Sequence, residues 1–237
     1  WENVYLAEPN NIDSPCSDLW RRMFVWFDGK VNPCDTDYKS YLGVDNILEN
    51  SISDCWNSKD YNKLRDEHLN NLRNNYLDYL NKITEKEIIV DKMPYNFKYL
   101  GIINLLFPEA RFIHVQRNYN DNCFSIYKNY FSDNSHGYSY KLSDTYNFYK
   151  LYKKQMEFWE NIIHSKIYNL QYEKLINDSK LEIKNLIKFC DFNWNDNYLL
   201  FYKNKRQVYT ASSSQVRQKL YSTSINSWIN FAKFFKV

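Results

Sequence analysis

Apolar and polar positions change their rhythm near Tyr61. Beyond it, Leu69, Leu72, Tyr76 and Leu80 recur at spacings of three and four, the stripe of an amphipathic helix. Ile88-Ile89-Val90 is a short β-branched run and predicts a buried strand, with Pro94 breaking the chain after it. Tyr99 to Phe107 reads as a short helix stopped before Pro108, Arg111 to Val115 as a second strand, and Asn120 to Phe131 as helix. Residues 144–163 form the longest predicted helix, with Asp144 as its cap and Phe148, Tyr152, Met156, Trp159 and Ile163 on one stripe. Ile167 to Gln171 is a third strand. Leu181 to Phe189 is a helix with apolar positions at 183, 186, 187 and 190. Residues 1–60 instead read as irregular. They carry Pro9, Pro15 and Pro33, two glycines and many Asn, Asp and Ser, interrupted by one apolar helical segment, Leu19 to Phe27.

Strands alternating with helices predict an α/β fold, a doubly wound parallel sheet flanked by helices, with ligands bound at the strand carboxyl ends. At 237 residues the chain has room for one such domain or two small ones. Hydrophobic residues make up 44% and aromatics 19%, enough for a large core and too much for a disordered segment. The 31 basic and 28 acidic side chains leave a net charge of only +3, which argues against a protein held to nucleic acid or membrane by its charge field. Gly29, Gly43, Gly101 and Gly137 are the only glycines and stand far apart, so neither glycine-rich phosphate-loop motif is present. No apolar run is long enough to span a bilayer. Cys16, Cys34, Cys55, Cys123 and Cys190 include no C-x-x-C pair, and His68, His114, His136 and His164 are scattered, which excludes a zinc site of standard local spacing. Cys16, Cys34 and Cys55 could pair in an oxidising compartment; free thiols are the simpler reading.

Three places could hold chemistry. The strand Arg111-Phe-Ile-His-Val-Gln-Arg117 ends in an arginine, a helix follows near Asn120, and Ser125 lies in its first turns. Guanidinium, hydroxyl and helix dipole then converge on one anion; the alternative is a surface ion pair and a solvent-facing serine. Lys203, Lys205 and Arg206 precede the polar run Thr210-Ala-Ser-Ser-Ser-Gln-Val-Arg-Gln218, whose hydroxyls with Arg217 and Lys219 suit a phosphate lid or a solvated loop. Lys92, after the strand Ile88–Val90, can reach a charged ligand at the sheet edge.

Taken together these blocks resemble the sulfotransferases related to tyrosylprotein sulfotransferase and to bacterial tetratricopeptide-linked ones. The residues that carry the resemblance are Glu87-Ile-Ile-Val-Asp-Lys-Met-Pro-Tyr-Asn-Phe97, Phe107-Pro-Glu-Ala-Arg-Phe-Ile-His-Val-Gln-Arg117, Asp121-Asn-Cys-Phe-Ser125, Leu170-Gln-Tyr-Glu-Lys-Leu-Ile176, and Thr210–Gln218 with Tyr221 and Trp228. They occur in order over residues 85–232. The resemblance implies a P-loop-like doubly wound sheet forming a single sulfotransferase domain, in which residues 1–85 shape the acceptor side and residues 86–237 form the nucleotide-binding core. It implies a donor, 3′-phosphoadenosine 5′-phosphosulfate, a hydroxyl acceptor, and no metal. Arg117 and Ser125 match the pair that holds the donor's 3′-phosphate. Ser212, Gln215, Val216, Arg217, Gln218, Lys219 and Tyr221 match the segment that closes over the same end, Tyr172 a tyrosine near the nucleotide, Lys92 a lysine beside the sulfate, and Ser212 a serine near the transferring group. His114 matches no catalytic histidine and reads as a core residue of its strand.

Two features depart from the family pattern. Nothing here matches its first strand and phosphosulfate loop, a segment resembling P-R-S-G-T-T, so the resemblance implies that the chain starts about one β-α unit late. Trp1 to Pro9 then looks like the strand after that helix, and Glu8 matches the acidic residue that takes the acceptor's proton, a surface glutamate being the equal alternative. Asn129 and Ser227 stand where tyrosylprotein sulfotransferases carry basic residues, which weakens a specific expectation of tyrosine sulfation. A nucleotide-binding module without activity is the competing reading, and a P-loop kinase relative lacks its lysine and metal motif. The Asn-, Lys- and Tyr-rich composition suggests an AT-rich bacterial genome and the cytoplasm. The sequon Asn177-Asp-Ser179 keeps a secretory lumen as the alternative.

Overall fold

The computed structural model describes residues 18–131, 134–204 and 217–234. Glu8, Ser212, Gln215 and Val216, four of the expected site residues, lie outside them. The chain divides into two compact units, one reaching to Lys92 and including Ile102–Pro108, the other built from Met93–Gly101 and from Glu109 onward.

In the first unit a 3-10 turn, Asp18–Trp20, is closed by Asp18 meeting Arg22 Nε at 2.9 Å. The chain continues as β1 (Phe24–Val25), β2 (Lys30–Asn32) and β3 (Asp45–Asn46), a three-stranded antiparallel sheet. The helix expected over Leu19–Phe27 is therefore not formed, and residues 18–60 are more regular than their composition implies. The cause is local. Asp28-Gly29 makes the turn from β1 to β2, with Gly29 at φ 83°, a conformation glycine adopts without steric cost. Asp-Gly is a hairpin signal, and the β-branched Val25 and Val31 pair across it. α1 (Ile52–Trp56) and α2 (Lys59–Asn81) both start at serine caps, Ser51 accepting from Asp54 N and Ser58 from Tyr61 N. Leu69, Leu72, Tyr76 and Leu80 are all half-buried, as their spacing predicts. Leu19, Val31, Val44, Cys55 and Tyr61 form the buried core. The Arg65 guanidinium lies 4.3 Å from the Trp56 ring centre and 4.2 Å from that of Tyr61, and donates to the carbonyls of Leu19 and Trp56.

The strand expected at Ile88–Val90 is also absent. That segment pairs with no strand among the described residues, and Ile88 and Val90 are 59% and 82% exposed. A β-branched run becomes a strand only where a neighbour supplies the ladder its backbone needs.

The second unit begins with a 3-10 turn, Asn96–Lys98, and the start of α3 (Leu100–Leu106). It continues as β4 (Phe112–Gln116), α4 (Tyr119–Tyr127), a 3-10 segment Asn134–Tyr140, α5 (Leu142–Ile163), β5 (Ile167–Gln171), α6 (Tyr172–Asn177) and α7 (Ser179–Phe189). Two further 3-10 segments follow, Asp196–Lys203 and Ser227–Phe234. β4 and β5 pair in parallel from Phe112–Ile167 to Gln116–Gln171, joined by a helical crossover as parallel neighbours require. The parallel pair fits the α/β expectation, with two strands of such a sheet among the described residues. Asp144 does not cap α5. The helix starts at Leu142 with Lys141 at its cap, and Asp144 sits in the first turn, where its charge favours the helix dipole. At 22 residues α5 is one shorter than α2.

Leu100, Met156, Ile163 and Ile167 form the core of this unit, covered by Phe97, Phe112, Tyr152 and Trp159. Trp159 Nε1 donates to the Phe97 carbonyl at 2.7 Å, which fixes the indole over Gly101. A Cβ at Gly101 would come within 2.6 Å of that ring. Gly101→Ala therefore lowers stability by about 1–3 kcal/mol through overpacking, although alanine is the better helix former. Denaturant unfolding checks the sign; a stabilised variant would show that Trp159 moves freely.

Candidate functional site

The β4–β5 ladder ends at Gln116 opposite Gln171, so the residues that follow the two strands, Arg117 and Tyr172, emerge together at their carboxyl ends. The Arg117 guanidinium lies over the Tyr172 ring, 5.4 Å from its centre. Its Nη2 donates to the Ser224 carbonyl, while its Nε is buried without a hydrogen-bond partner. The Tyr172 hydroxyl donates to the Tyr221 carbonyl at 3.2 Å and lies 3.1 Å from Ser224 Oγ. Both strand ends thus face one stretch of the C-terminal chain.

α4 starts immediately after Arg117. Asn118 Oδ1 accepts from Asn120 N and Asp121 N at 3.0 and 3.2 Å, and Asn118 N donates to Glu173 Oε1 at 2.8 Å. Asp121, in the first turn, is fully buried and accepts from Asn226 N, Ser227 Oγ and Trp228 N at 2.7, 3.1 and 3.1 Å. Phe124 packs on Phe231 with ring centres 4.7 Å apart. Ser125, one turn beyond Asp121 on the same helix face, is half-buried in the second turn of α4. Cys123 is fully buried on this helix, and burial pushes its thiol up to about 12.

The structure thus brings Arg117, Tyr172 and the Tyr221 backbone together and places Ser125 on the helix that begins beside them. Arg217 instead donates to the Asn204 carbonyl at 3.3 Å, and Lys219 Nζ lies 5.8 Å from the centre of the Tyr202 ring, while Gln218 is exposed. Lys92 belongs to the first unit and is exposed, and the strand expected to aim it does not form. Sequence reasoning missed Asp121 and Ser224 as site-forming residues. An acidic residue four positions after the strand-end arginine was the available signal for Asp121. Nothing local marked Ser224. Among the described residues Cys34, Cys55, Cys123 and Cys190 carry free thiols. No group of three or more His, Cys, Asp or Glu side chains there could hold a metal, and no helix is long and apolar enough to cross a membrane.

The helix-facing side of the same ladder carries a polar cluster. His114 Nδ1 lies 2.8 Å from Asn169 Oδ1, 3.1 Å from Gln116 Nε2 and 3.7 Å from Glu160, and Nε2 contacts the Tyr152 hydroxyl. His114 is therefore a hydrogen-bonded histidine between sheet and α5. Burial pushes its pKa down, with Asn169 and Glu160 pulling partly back. A histidine whose pKa is lower folded than unfolded takes up protons more readily when unfolded. Its neutral form therefore supports the fold above the ordinary histidine range, near pH 6.5, and that support is lost as pH falls through the lowered value. His114→Gln flattens the acid side of the stability–pH curve below about pH 6.5. Denaturant midpoints across that range check it, and an unchanged slope would assign the acid sensitivity to other groups.

Residues 32–196 match a family model described as Sulfotransferase family. Over 162 residues, 67% of the chain, the sequence is 36% identical to an uncharacterized protein of Aquifex aeolicus (strain VF5), and the match spans 21% of that relative's length.

Proposed function

The chain belongs to the sulfotransferase family, and on that premise we propose that it transfers a sulfuryl group from 3′-phosphoadenosine 5′-phosphosulfate to a hydroxyl acceptor such as a peptide tyrosine, a glycan or a small molecule. The observation that carries this reading is the buried, unpartnered Nε of Arg117 at the strand end. An unsatisfied buried donor is costly, and a phosphate oxygen is the acceptor a guanidinium fits best. Tyr172 beside it offers a ring face and a hydroxyl, and the N-terminus of α4 adds a favourable dipole.

In this reading Arg117 and Ser125 hold the 3′-phosphate, and Ser212, Gln215, Val216, Arg217, Gln218, Lys219 and Tyr221 border the nucleotide. The S–O bond to the donor's phosphate breaks as a new S–O bond forms to the acceptor oxygen. Lys92 and Ser212 act at the transferring group, Lys92 neutralising charge that grows on the leaving phosphate. Glu8 takes the acceptor's proton. The protein's task is positioning and electrostatics, by the same logic as in-line phosphoryl transfer.

Calorimetric titration with 3′-phosphoadenosine 5′-phosphate tests the donor site. Arg117→Ala weakens binding by about 1.5–3 kcal/mol, the range for a charge-assisted hydrogen bond. Unchanged affinity would remove Arg117 from the site.

Lys92→Ala, assayed in a chain that includes a phosphosulfate loop, lowers turnover on the order of 10²–10³-fold with donor affinity nearly intact. A matching loss of affinity would make Lys92 a ground-state binder, and an unchanged rate would leave it a surface lysine.

A further inference from the structure

Phosphate binding does not account for Asp121. It is a carboxylate with no exposed surface, and such a group is kept only where hydrogen bonds replace its water. Both oxygens are used. Oδ2 accepts from Asn226 N, and Oδ1 from Ser227 Oγ and Trp228 N. Asn226 stands at φ 58°, a left-handed conformation that a non-glycine residue holds at a cost. Two residues upstream, the Ser224 carbonyl takes Arg117 Nη2 and the Ser224 hydroxyl meets Tyr172. Three residues further back, the Tyr221 carbonyl accepts from the Tyr172 hydroxyl.

We propose that Asp121 is a positioning residue of the donor site: it clamps Asn226-Ser227-Trp228 so that Tyr221 and Ser224 form a strap that fixes the Arg117 guanidinium and the Tyr172 phenol in their binding orientation. The inference rests on the donor-site reading above. With Nη2 tied to the strap, the guanidinium plane is set and Nε is held for the ligand. Once the clamp is released, the Ser224 carbonyl leaves Arg117, and the side chain regains rotamers that binding must then freeze out.

Asp121→Asn keeps the volume but replaces one acceptor oxygen with an NH2 donor facing other donors. Two quantities are read at a temperature well below melting: hydrogen exchange at the Asn226 and Trp228 amides, and the Kd of 3′-phosphoadenosine 5′-phosphate by calorimetry. The expected result is loss of protection at both amides and a rise in Kd of about tenfold or more, the range for hydrogen bonds to charged groups. A merely structural Asp121 would lower the melting temperature and leave Kd unmoved, and that result overturns the proposal. Amides that stay protected in the variant also overturn it, because the clamp is then made elsewhere. If the wild-type protein fails to bind the nucleotide while both amides are protected, the donor-site reading has failed and takes the inference with it. If Asp121→Asn does not fold, Ser227→Ala removes one of the three donors and leaves the charge with two. Faster exchange at Trp228 with a Kd about two- to threefold higher supports the clamp, and no change in either refutes it.

Discussion

Slanted hydrogen bonds between parallel strands fix the register of both strands at once, and the ladder from Phe112–Ile167 to Gln116–Gln171 sets what leaves the sheet and where. Arg117 and Tyr172 are neighbours because they follow the last paired rung. A slip of one residue would turn every side chain of one strand to the opposite face. It would part the guanidinium from the phenol and swing His114 away from Asn169. The helix starts at Asn118 and Tyr172 inherit their positions from the same ladder, as does the contact between Asn118 N and Glu173.

The ladder also divides two kinds of chemistry. Beyond its end stand groups that suit an anion: a partly satisfied guanidinium, a phenol and a capped helix start. On its helix-facing side His114, Gln116 and Asn169 meet Tyr152 and Glu160 of α5. Below that cluster the interface turns apolar, through Phe112, Met156 and Ile167 to Trp159 against Gly101. The half-buried His114, Gln116, Tyr152 and Glu160 find their partners in this one arrangement of the strands against α5.

Legibility in the sequence followed how local the deciding forces are. β5 is read to the residue, and α3, β4 and α7 within one or two positions, because apolar spacing and flanking breakers mark them without outside help. Ile88–Val90 fails because strand formation depends on a partner, which no window of sequence contains. Leu19–Phe27 fails because the Asp28-Gly29 turn overrides a helical stripe just upstream. Arg117 and Tyr172 are legible as a family pattern, and their juxtaposition is not, since it follows from register across 55 positions of chain. Asp121 stands in a block that carries the family resemblance, but its partners lie more than a hundred residues away.

Burial of Cys123 has a consequence for chemical probing. The thiolate is the reactive form of cysteine, and burial holds the Cys123 thiol in its protonated form at neutral pH. Alkylating reagents and mild oxidants therefore meet this sulfur only when α4 lifts away and the side chain sees water. Cys123 lies two residues from Asp121, so its modification rate is a clock for opening at the α4 N-terminus. A protein left in an oxidising buffer would keep this thiol longer than its half-buried Cys34, recording in covalent form how seldom that helix lets go.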